Sequence, residues 1–158
     1  MTKKTHFKLV NSLPEVLLVR RIRNECRTFL TNYTKHIGIL RQIYWFFTYY
    51  FRAQRSGLYR IFLARNQKGV PLGYGALQLK DGELLVTECV AEKFRGQGFG
   101  KAILGKLIDI AKKERRPLIA EIWASNKPSI GLHQKCGFTL VKTGVKSGFK
   151  LCTFRKGK

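Results

Sequence analysis

The spacing of apolar residues in the first third of the chain predicts a strand followed by two helices. A short run over 7–11 has the character of a strand. After a helix start at Leu13, apolar side chains recur every three or four residues from Val16 to Leu30, which is typical of an amphipathic helix. A second helix is predicted over 37–52, and aromatic residues crowd one of its sides.

Turn-forming residues divide the rest of the chain into shorter elements. Strands are predicted over 59–65, 71–80 and 84–90, because these short, largely apolar runs are separated by glycine-containing turns. Beyond them, helices and strands are predicted in the order helix 100–113, strand 117–123, helix 126–135, strand 138–143 and strand 149–155. This order indicates an α/β fold.

A glycine-rich segment over 94–101, Phe-Arg-Gly-Gln-Gly-Phe-Gly-Lys, joins the strand over 84–90 to the helix that follows. A strand, a glycine loop and a helix together present bare backbone N–H groups and a positive helix end to a phosphate. Glycine also allows backbone conformations that other residues rarely adopt. The loop therefore indicates a ligand that bears phosphate, although an ordinary glycine-rich turn has the same appearance.

The spacing of this loop excludes two better-known phosphate-binding motifs. A P-loop needs a glycine where Arg95 stands and a hydroxyl residue where Ala102 stands. A dinucleotide fingerprint, Gly-x-Gly-x-x-Gly, fails in either possible frame because Lys101 or Ile103 takes the place of its last glycine. The pattern that remains is Arg-x-x-Gly-x-Gly, with its last glycine at position 100.

A second segment, over 118–138, follows the loop at a characteristic distance. It contains Glu121 in a predicted strand, Asn126 at a predicted helix start, and Gly137-Phe138 opening the next strand. With the loop, these residues resemble the GCN5-related N-acetyltransferases, the GNAT superfamily. That family often carries a tyrosine on the intervening helix, where this chain has His133. The resemblance covers about 84–141.

The resemblance implies a GNAT-like fold, in which a central mixed, splayed sheet has helices on both faces. We therefore expect one acetyltransferase domain over 1–158. The resemblance also implies acetyl-CoA as co-substrate, with no metal, and direct attack by an amine without an acyl-enzyme. The pyrophosphate is expected on the N–H groups of the loop, which are those of Gly96, Gln97, Gly98, Phe99, Gly100 and Lys101.

Other residues are expected to assist the coenzyme. Arg95 and Lys101 would add side-chain charge near the pyrophosphate. A backbone N–H near Val90 would polarise the acetyl carbonyl, and the pantetheine amides would pair with the backbone leading to it. Asn126 would cap its helix, and in the family the same residue often touches the coenzyme arm.

Three residues are candidates for proton transfer. Glu121 and Glu88 lie in the strands that flank the expected split and are candidate bases, although each could instead form a salt bridge with one of the many basic residues. His133, at the tyrosine position, could protonate the departing thiolate or could simply pack on its helix. Cys136 has no partner pattern for a nucleophile and is expected to be structural.

Composition agrees with a globular enzyme whose thiols remain reduced. The chain has 158 residues, of which 44% are hydrophobic. Its four cysteines, Cys26, Cys89, Cys136 and Cys152, are widely spaced, which suits a reducing cytoplasm better than a disulfide framework or a metal site. No signal-peptide core follows the basic N-terminus, and the aromatic run over 43–51 is too short to span a bilayer.

Charge is the main clue to the acceptor. The formal net charge is +22, and no acidic residue occurs between Cys26 and Lys80 or after Glu121. Such a surface attracts anions and repels polycations. Candidate acceptors are aminoacyl-tRNA, ribosome-associated protein amines and amino sugars linked to nucleotides. The basic, aromatic stretch from Arg41 to Arg60 also suits contact with RNA or the ribosome, although a basic surface can serve solubility alone.

The sequence alone is therefore consistent with two functions. One is an acetyl-CoA-dependent N-acetyltransferase. The other is a basic module that binds RNA or ribosomes on a GNAT scaffold with weakened chemistry. The intact Arg95-x-x-Gly98-x-Gly100 pattern favours the enzyme.

Overall fold

A seven-stranded sheet organises the chain, which the computed structural model describes over residues 5–157. The strands are β1 (His6–Leu9), β2 (Tyr59–Arg65), β3 (Pro71–Lys80), β4 (Glu83–Val90), β5 (Leu118–Trp123), β6 (Thr139–Lys146) and β7 (Phe149–Lys156). They lie in the order β1-β2-β3-β4-β5-β7-β6. Every neighbouring pair is antiparallel except β4 and β5, which run parallel.

Helices cover both faces of this sheet. They are α1 (Leu13–Cys26), α2 (Ile39–Trp45), α3 (Phe51–Arg55), α4 (Phe99–Glu114) and α5 (Lys127–Lys135), with a π-helical segment, Phe46–Tyr50, joining α2 to α3. Residues of α1 and of the helix around Phe46 form one core with β2, β3 and β4. Residues of α4 and α5 form a second core on the opposite face. The predicted mixed sheet between helices is confirmed.

The sheet is splayed between its two parallel strands. β4 and β5 pair only at Leu84 with Leu118 and at Leu85 with Ile119. β5 remains paired with β7 along its whole length, and β4 remains paired with β3 up to Val90. A gap therefore opens between the second halves of β4 and β5.

The predicted elements differ from the structure mainly at their ends. The helix predicted over 37–52 begins after Gly38, continues through the π-helical segment and ends at Arg55. The first helical pattern, predicted to continue to Leu30, ends as an α-helix at Cys26 and is followed by a 3₁₀ turn, Arg27–Phe29. A second 3₁₀ turn, Glu92–Phe94, has no counterpart in the prediction, because one turn is too short for a periodic pattern. Residues 1–4 and 158 of the predicted domain lie outside the described residues. Within 5–157, no helix is long and apolar enough to cross a membrane.

Candidate active site

The second half of β4 directs backbone groups into the gap. Leu84 N–H donates to the carbonyl of Pro117, just before β5, at 2.9 Å. Alternate residues of a strand face opposite neighbours, so Glu88 and Val90 also direct their N–H and C=O groups away from β3. By that point β5 has moved away from β4. The N–H of Val90 therefore faces the gap, as a group that binds an acetyl carbonyl would have to do.

The glycine loop has the conformation that its sequence predicts. Gly96 and Gly98 have φ values of +73° and +85°, which favour glycine, and Gly98 immediately precedes α4. A Cβ on Gly100 would lie 3.3 Å from Leu132 Cδ2, so this glycine lets α4 approach α5 closely. Loop N–H groups and the positive end of a 16-residue helix thus meet at one edge of the gap.

A cavity of about 500 Å³ fills the gap, and it is called the cleft below. Most of the candidate site residues line it, namely Glu88, Val90, Arg95, Gly96, Gly100, Glu121, Asn126 and His133. The other four, Gln97, Gly98, Phe99 and Lys101, belong to the loop but do not line this cavity. Phe99 is buried, and the other three lie at the surface. Among residues 5–157, no group of three or more His, Cys, Asp or Glu is placed to hold a metal ion.

Arg95 turns its guanidinium back towards α1. Its Nε donates to the carbonyl of Val90 at 3.3 Å, and its Nη2 donates to the carbonyl of Glu25 at 3.0 Å. The same Nη2 lies 3.5 Å from Cys26 Sγ. A hydrogen bond with Cys89 and the charge of Arg95 lower the pKa of the Cys26 thiol to about 7. The side chain thus fastens the loop to the C-terminus of α1, and its role in phosphate binding stays a prediction.

Glu88 and His133 meet in the interior of the cleft. His133 Nε2 lies 3.6 Å from Glu88 Oε2, and the two side chains are 1% and 12% exposed. His133 Nδ1 lies 2.9 Å from the carbonyl of Ser129, to which it donates, and Ser129 Oγ donates to Glu88 Oε1 at 3.4 Å. Burial raises the pKa of Glu88, and the charge of His133 and the Ser129 hydrogen bond offset only part of that effect. His133 is buried and Glu88 and Ser129 are partly buried, so the three side chains form one cluster at the wall of the cleft. His133 Nε2 has no hydrogen-bond partner among the described residues.

Glu121 lies on the opposite face of the sheet. Its neighbours in β5, Ala120 and Ile122, are buried in the core beneath α4, so the alternation of a strand turns Glu121 towards the α1 face. Its Oε2 lies 3.6 Å from Lys146 Nζ, and its side chain is 28% exposed. The structure therefore separates the two candidate carboxylates, which the sequence could only place on neighbouring strands.

Comparison with known proteins gives the family. A model of the acetyltransferase (GNAT) family matches residues 19–138, more than half of the chain. The chain belongs to the GNAT acetyltransferase family. A search of curated proteins finds no match.

Solved structures share the GNAT fold over nearly the whole chain. Spermidine N-acetyltransferase from Vibrio cholerae, solved with CoA and spermine, is 11% identical, with 96% of this chain and 94% of that chain covered and a TM-score of 0.83. Ribosomal-protein-alanine N-acetyltransferase from Brucella melitensis is 23% identical (97% and 99% covered; TM-score 0.78). The protein yncA from Salmonella typhimurium, solved with its cofactor acetyl-CoA, is 20% identical (98% and 94% covered; TM-score 0.78).

The remaining predictions at this GNAT site concern α5. Asn126 caps the helix as expected, because its Oδ1 accepts from the N–H of Ser129 at 3.3 Å. Ser129 itself was not a sequence candidate. It lies four residues before His133, and this spacing places both side chains on one helix face, which is the signal that could have found it. Cys136 packs against the core beneath α4, in keeping with a structural role.

Proposed function

We propose that the protein is an acetyl-CoA-dependent N-acetyltransferase that modifies a primary amine of an anionic acceptor. The observation that carries the proposal is the cleft, which opens between β4 and β5 beside the N-terminus of α4. Acetyl-CoA would supply a thioester whose acetyl carbon accepts the amine. The loop before α4 suits its pyrophosphate, and the backbone of Glu88 and Val90 suits its amide-bearing arm.

Val90 would supply electrostatic stabilisation. Its N–H faces the gap, whereas its carbonyl already accepts from Arg95 Nε and from Cys26 Sγ. These bonds hold the end of β4 in place before a substrate arrives. A donor fixed in this way stabilises developing negative charge on a carbonyl oxygen without further reorganisation.

Proton transfer would be divided between the two faces of the sheet. An amine must be neutral to attack, and Glu121, on the α1 face, would accept its proton directly or through water. On the α5 face, Glu88 and His133 share a buried site in which a raised pKa of the carboxyl keeps a proton available. That proton would pass to the departing thiolate.

Binding and transfer can be tested separately. We expect CoA to bind in the micromolar range, on the order of 7–8 kcal/mol, by calorimetry. A screen with labelled acetyl-CoA across RNA, peptide and amino-sugar fractions should then give an acetylated product that depends on the protein. The absence of both binding heat and thermal stabilisation at millimolar CoA would contradict the proposal.

A second candidate function is RNA or ribosome contact with weakened chemistry. It is favoured by the outer face of the helix from Ile39 to Arg55. On this face Leu40, Tyr44 and Phe47 are 82%, 71% and 61% exposed. Arginines accompany them, and the sequence has no acidic residue between Cys26 and Lys80 to neutralise them. Aromatic side chains among cations bind single-stranded nucleic acid by stacking and charge.

The salt dependence of tRNA binding would test this second function. If phosphate contacts hold the RNA, affinity should fall steeply as salt rises, because each contact releases counterions. Replacing Tyr44 and Phe47 together with serine should weaken binding without changing CoA affinity. Binding that is absent, or that does not depend on salt, would leave the +22 charge as a property of the surface.

A further inference from the structure

A second cavity of about 310 Å³ adjoins the cleft on the α1 face of the sheet. Its walls come from α1, the segment after it, α2 and the facing side of β2, β3 and β4. Leu30, Asn32 and Thr87 line both cavities. Glu121 faces the same side of the sheet. A molecule in this second cavity, the acceptor cavity, would therefore lie next to the expected acetyl group and the proposed base.

Three arginines border the acceptor cavity without a carboxylate to balance them. Arg20, Arg23 and Arg41 are lining residues, and no Asp or Glu is among the described residues that line it. None of the ion pairs within 5–157 involves any of the three. Positive charge in a concave, partly buried site attracts an anion and repels a polyamine.

Backbone groups hold two of these arginines in position. Arg20 Nη1 donates to the carbonyl of Ile37 at 2.8 Å, and Arg23 donates to the carbonyls of Tyr33 and Lys35. Carbonyl oxygens orient a guanidinium but do not neutralise its charge. Arg20 Nε is buried and has no hydrogen-bond partner among the described residues. The cavity thus has positioned donors and an uncompensated positive charge.

Most of the other lining residues are aromatic or aliphatic, and four are polar but uncharged, namely Asn32, Gln42, Gln78 and Thr87. Tyr33, Trp45, Tyr49, Tyr59 and Tyr74 line the cavity. Arg23 and Arg41 lie 5.1 and 4.9 Å from the centre of the Tyr33 ring. Burial raises the pKa of Tyr59 to about 12, so this phenol stays neutral and adds no negative charge. Such walls favour a flat or apolar body over a fully hydrated one.

We propose that the acceptor cavity selects a small primary amine that carries a carboxylate or a phosphate on an aromatic or aliphatic body. This inference rests on the proposed acetyl transfer. The neutral amine nitrogen forms a bond to the acetyl carbon while the thioester C–S bond breaks. The sulfur leaves with the bonding electrons and takes a proton, the nitrogen gives a proton to the base, and the products are an N-acetyl amide and CoA. The anionic group contacts the arginines and is unchanged.

Matched pairs of amines test this selection. The members of each pair share a body and differ in the anion: phenylalanine with phenethylamine, and pyridoxamine 5′-phosphate with pyridoxamine. Spermidine serves as the polycationic control. Each is added at about 10 mM to the CoA-bound protein for thermal-shift measurement, and turnover with acetyl-CoA is followed by thiol release. We expect at least one member with the anionic group to raise the unfolding midpoint, with a kcat/KM at least about tenfold above that of its partner without that group. The two pairs distinguish a carboxylate from a phosphate.

Substitutions test whether the arginines are responsible for the preference for anionic amines. Arg41→Gln should lower kcat/KM for the preferred anionic amine about tenfold or more, mainly through KM, and should change kcat/KM for the partner without the anionic group much less. Arg23→Lys, which keeps the charge but loses the planar fork, should have a smaller effect in the same direction. Arg65→Gln is the control, because Arg65 lines neither cavity and donates to the carbonyl of Gly69 in its own hairpin turn.

The possible failures are distinguishable. The inference is overturned, whatever the turnover, if every anionic amine stabilises the CoA-bound protein no more than spermidine or its own partner without the anionic group. It is also overturned if amines without an anionic group, or macromolecular amines, are acetylated at least as well as the small anionic ones. If CoA itself does not bind, the proposed function fails first.

Discussion

The carboxyl group of Glu88 and the imidazole of His133 face each other in the cleft, with Oε2 and Nε2 3.6 Å apart. The carbonyl of Ser129 fixes the proton of His133 on Nδ1, so the neutral ring presents Nε2 to Glu88 as an acceptor. Burial raises the pKa of Glu88, which favours the protonated form of its carboxyl group beside His133. A protonated pair is suited to donate to a leaving group and not to remove a proton from an amine.

If His133 protonates the thiolate, His133→Ala should lower turnover at saturating acetyl-CoA by roughly 10- to 1000-fold. CoA affinity should change little, because the proton is needed only as the C–S bond breaks. His133→Tyr should retain much of the activity, since a phenol there restores the arrangement that is commoner in the family. Turnover of the three proteins, with CoA affinity measured by calorimetry, provides the comparison. Equal turnover of the alanine variant and the wild type would make His133 a packing residue.

Glu88 should leave a signature in the dependence of stability on pH. Burial raises the pKa of Glu88 in the folded protein. The contribution of the protonated carboxyl to the free energy of unfolding is therefore fully present below about pH 4.5 and is lost as pH rises through the raised pKa. Relative to Glu88→Gln, the wild type should lose free energy of unfolding over this interval, by at most about 1.4 kcal/mol per pH unit.

Urea unfolding between about pH 4 and pH 8 measures this difference. Glu92→Gln is a suitable control, because Glu92 is exposed and its substitution also removes one carboxyl group. If the free energies of unfolding of the wild type and the Glu88→Gln variant differ by a constant amount over the whole range, burial does not shift the titration of Glu88.

Two alanine substitutions around α4 should have opposite effects. Gly98 has φ +85°, so Gly98→Ala should destabilise the protein by about 1–2 kcal/mol and weaken CoA binding. Gly105 lies inside α4, and an added Cβ would meet nothing within 4 Å. Gly105→Ala should therefore stabilise by about 0.5–1 kcal/mol and leave CoA binding unchanged. Thermal unfolding and calorimetry on both variants test this pair, and equal effects on CoA binding would show that the loop conformation is not what the coenzyme needs.

Tyr50 should matter for stability through its hydroxyl group. The side chain is fully buried, its Oη donates to the carbonyl of Val10 at 2.8 Å, and it accepts from the N–H of Ile61 at 3.2 Å. Tyr50→Phe leaves both backbone groups without this partner and should cost about 1–3 kcal/mol. Tyr44→Phe, at a 71% exposed position, should cost almost nothing in urea unfolding. Similar midpoints for the two variants would contradict the account.

The sequence predicted the loop better than it predicted the catalytic groups, and the reason is physical. Gly98 and Gly100 belong to a local motif, in which spacing alone determines how the backbone turns into α4. The pairing of Glu88 with His133 depends on how α5 packs over β4, and that relationship spans 45 residues between positions 88 and 133. The acceptor cavity was beyond sequence reasoning for the same reason, since it requires α1 and α2 to meet over the sheet.

Helix α1 takes part in both binding regions at once. At its C-terminal end, Glu25 accepts from the N–H of Glu92 at 2.9 Å and from Arg95, so it is fastened to the segment that leads into the coenzyme loop. Two and five residues before Glu25, the same helix carries Arg23 and Arg20 to the acceptor cavity. Coenzyme contacts that further stabilise the loop should then also stabilise α1 and the arginines that it carries. Thermodynamic linkage makes the effect reciprocal, because the factor by which the coenzyme raises the affinity for the acceptor equals the factor by which the acceptor raises the affinity for the coenzyme. The two substrates are therefore expected to bind with positive cooperativity.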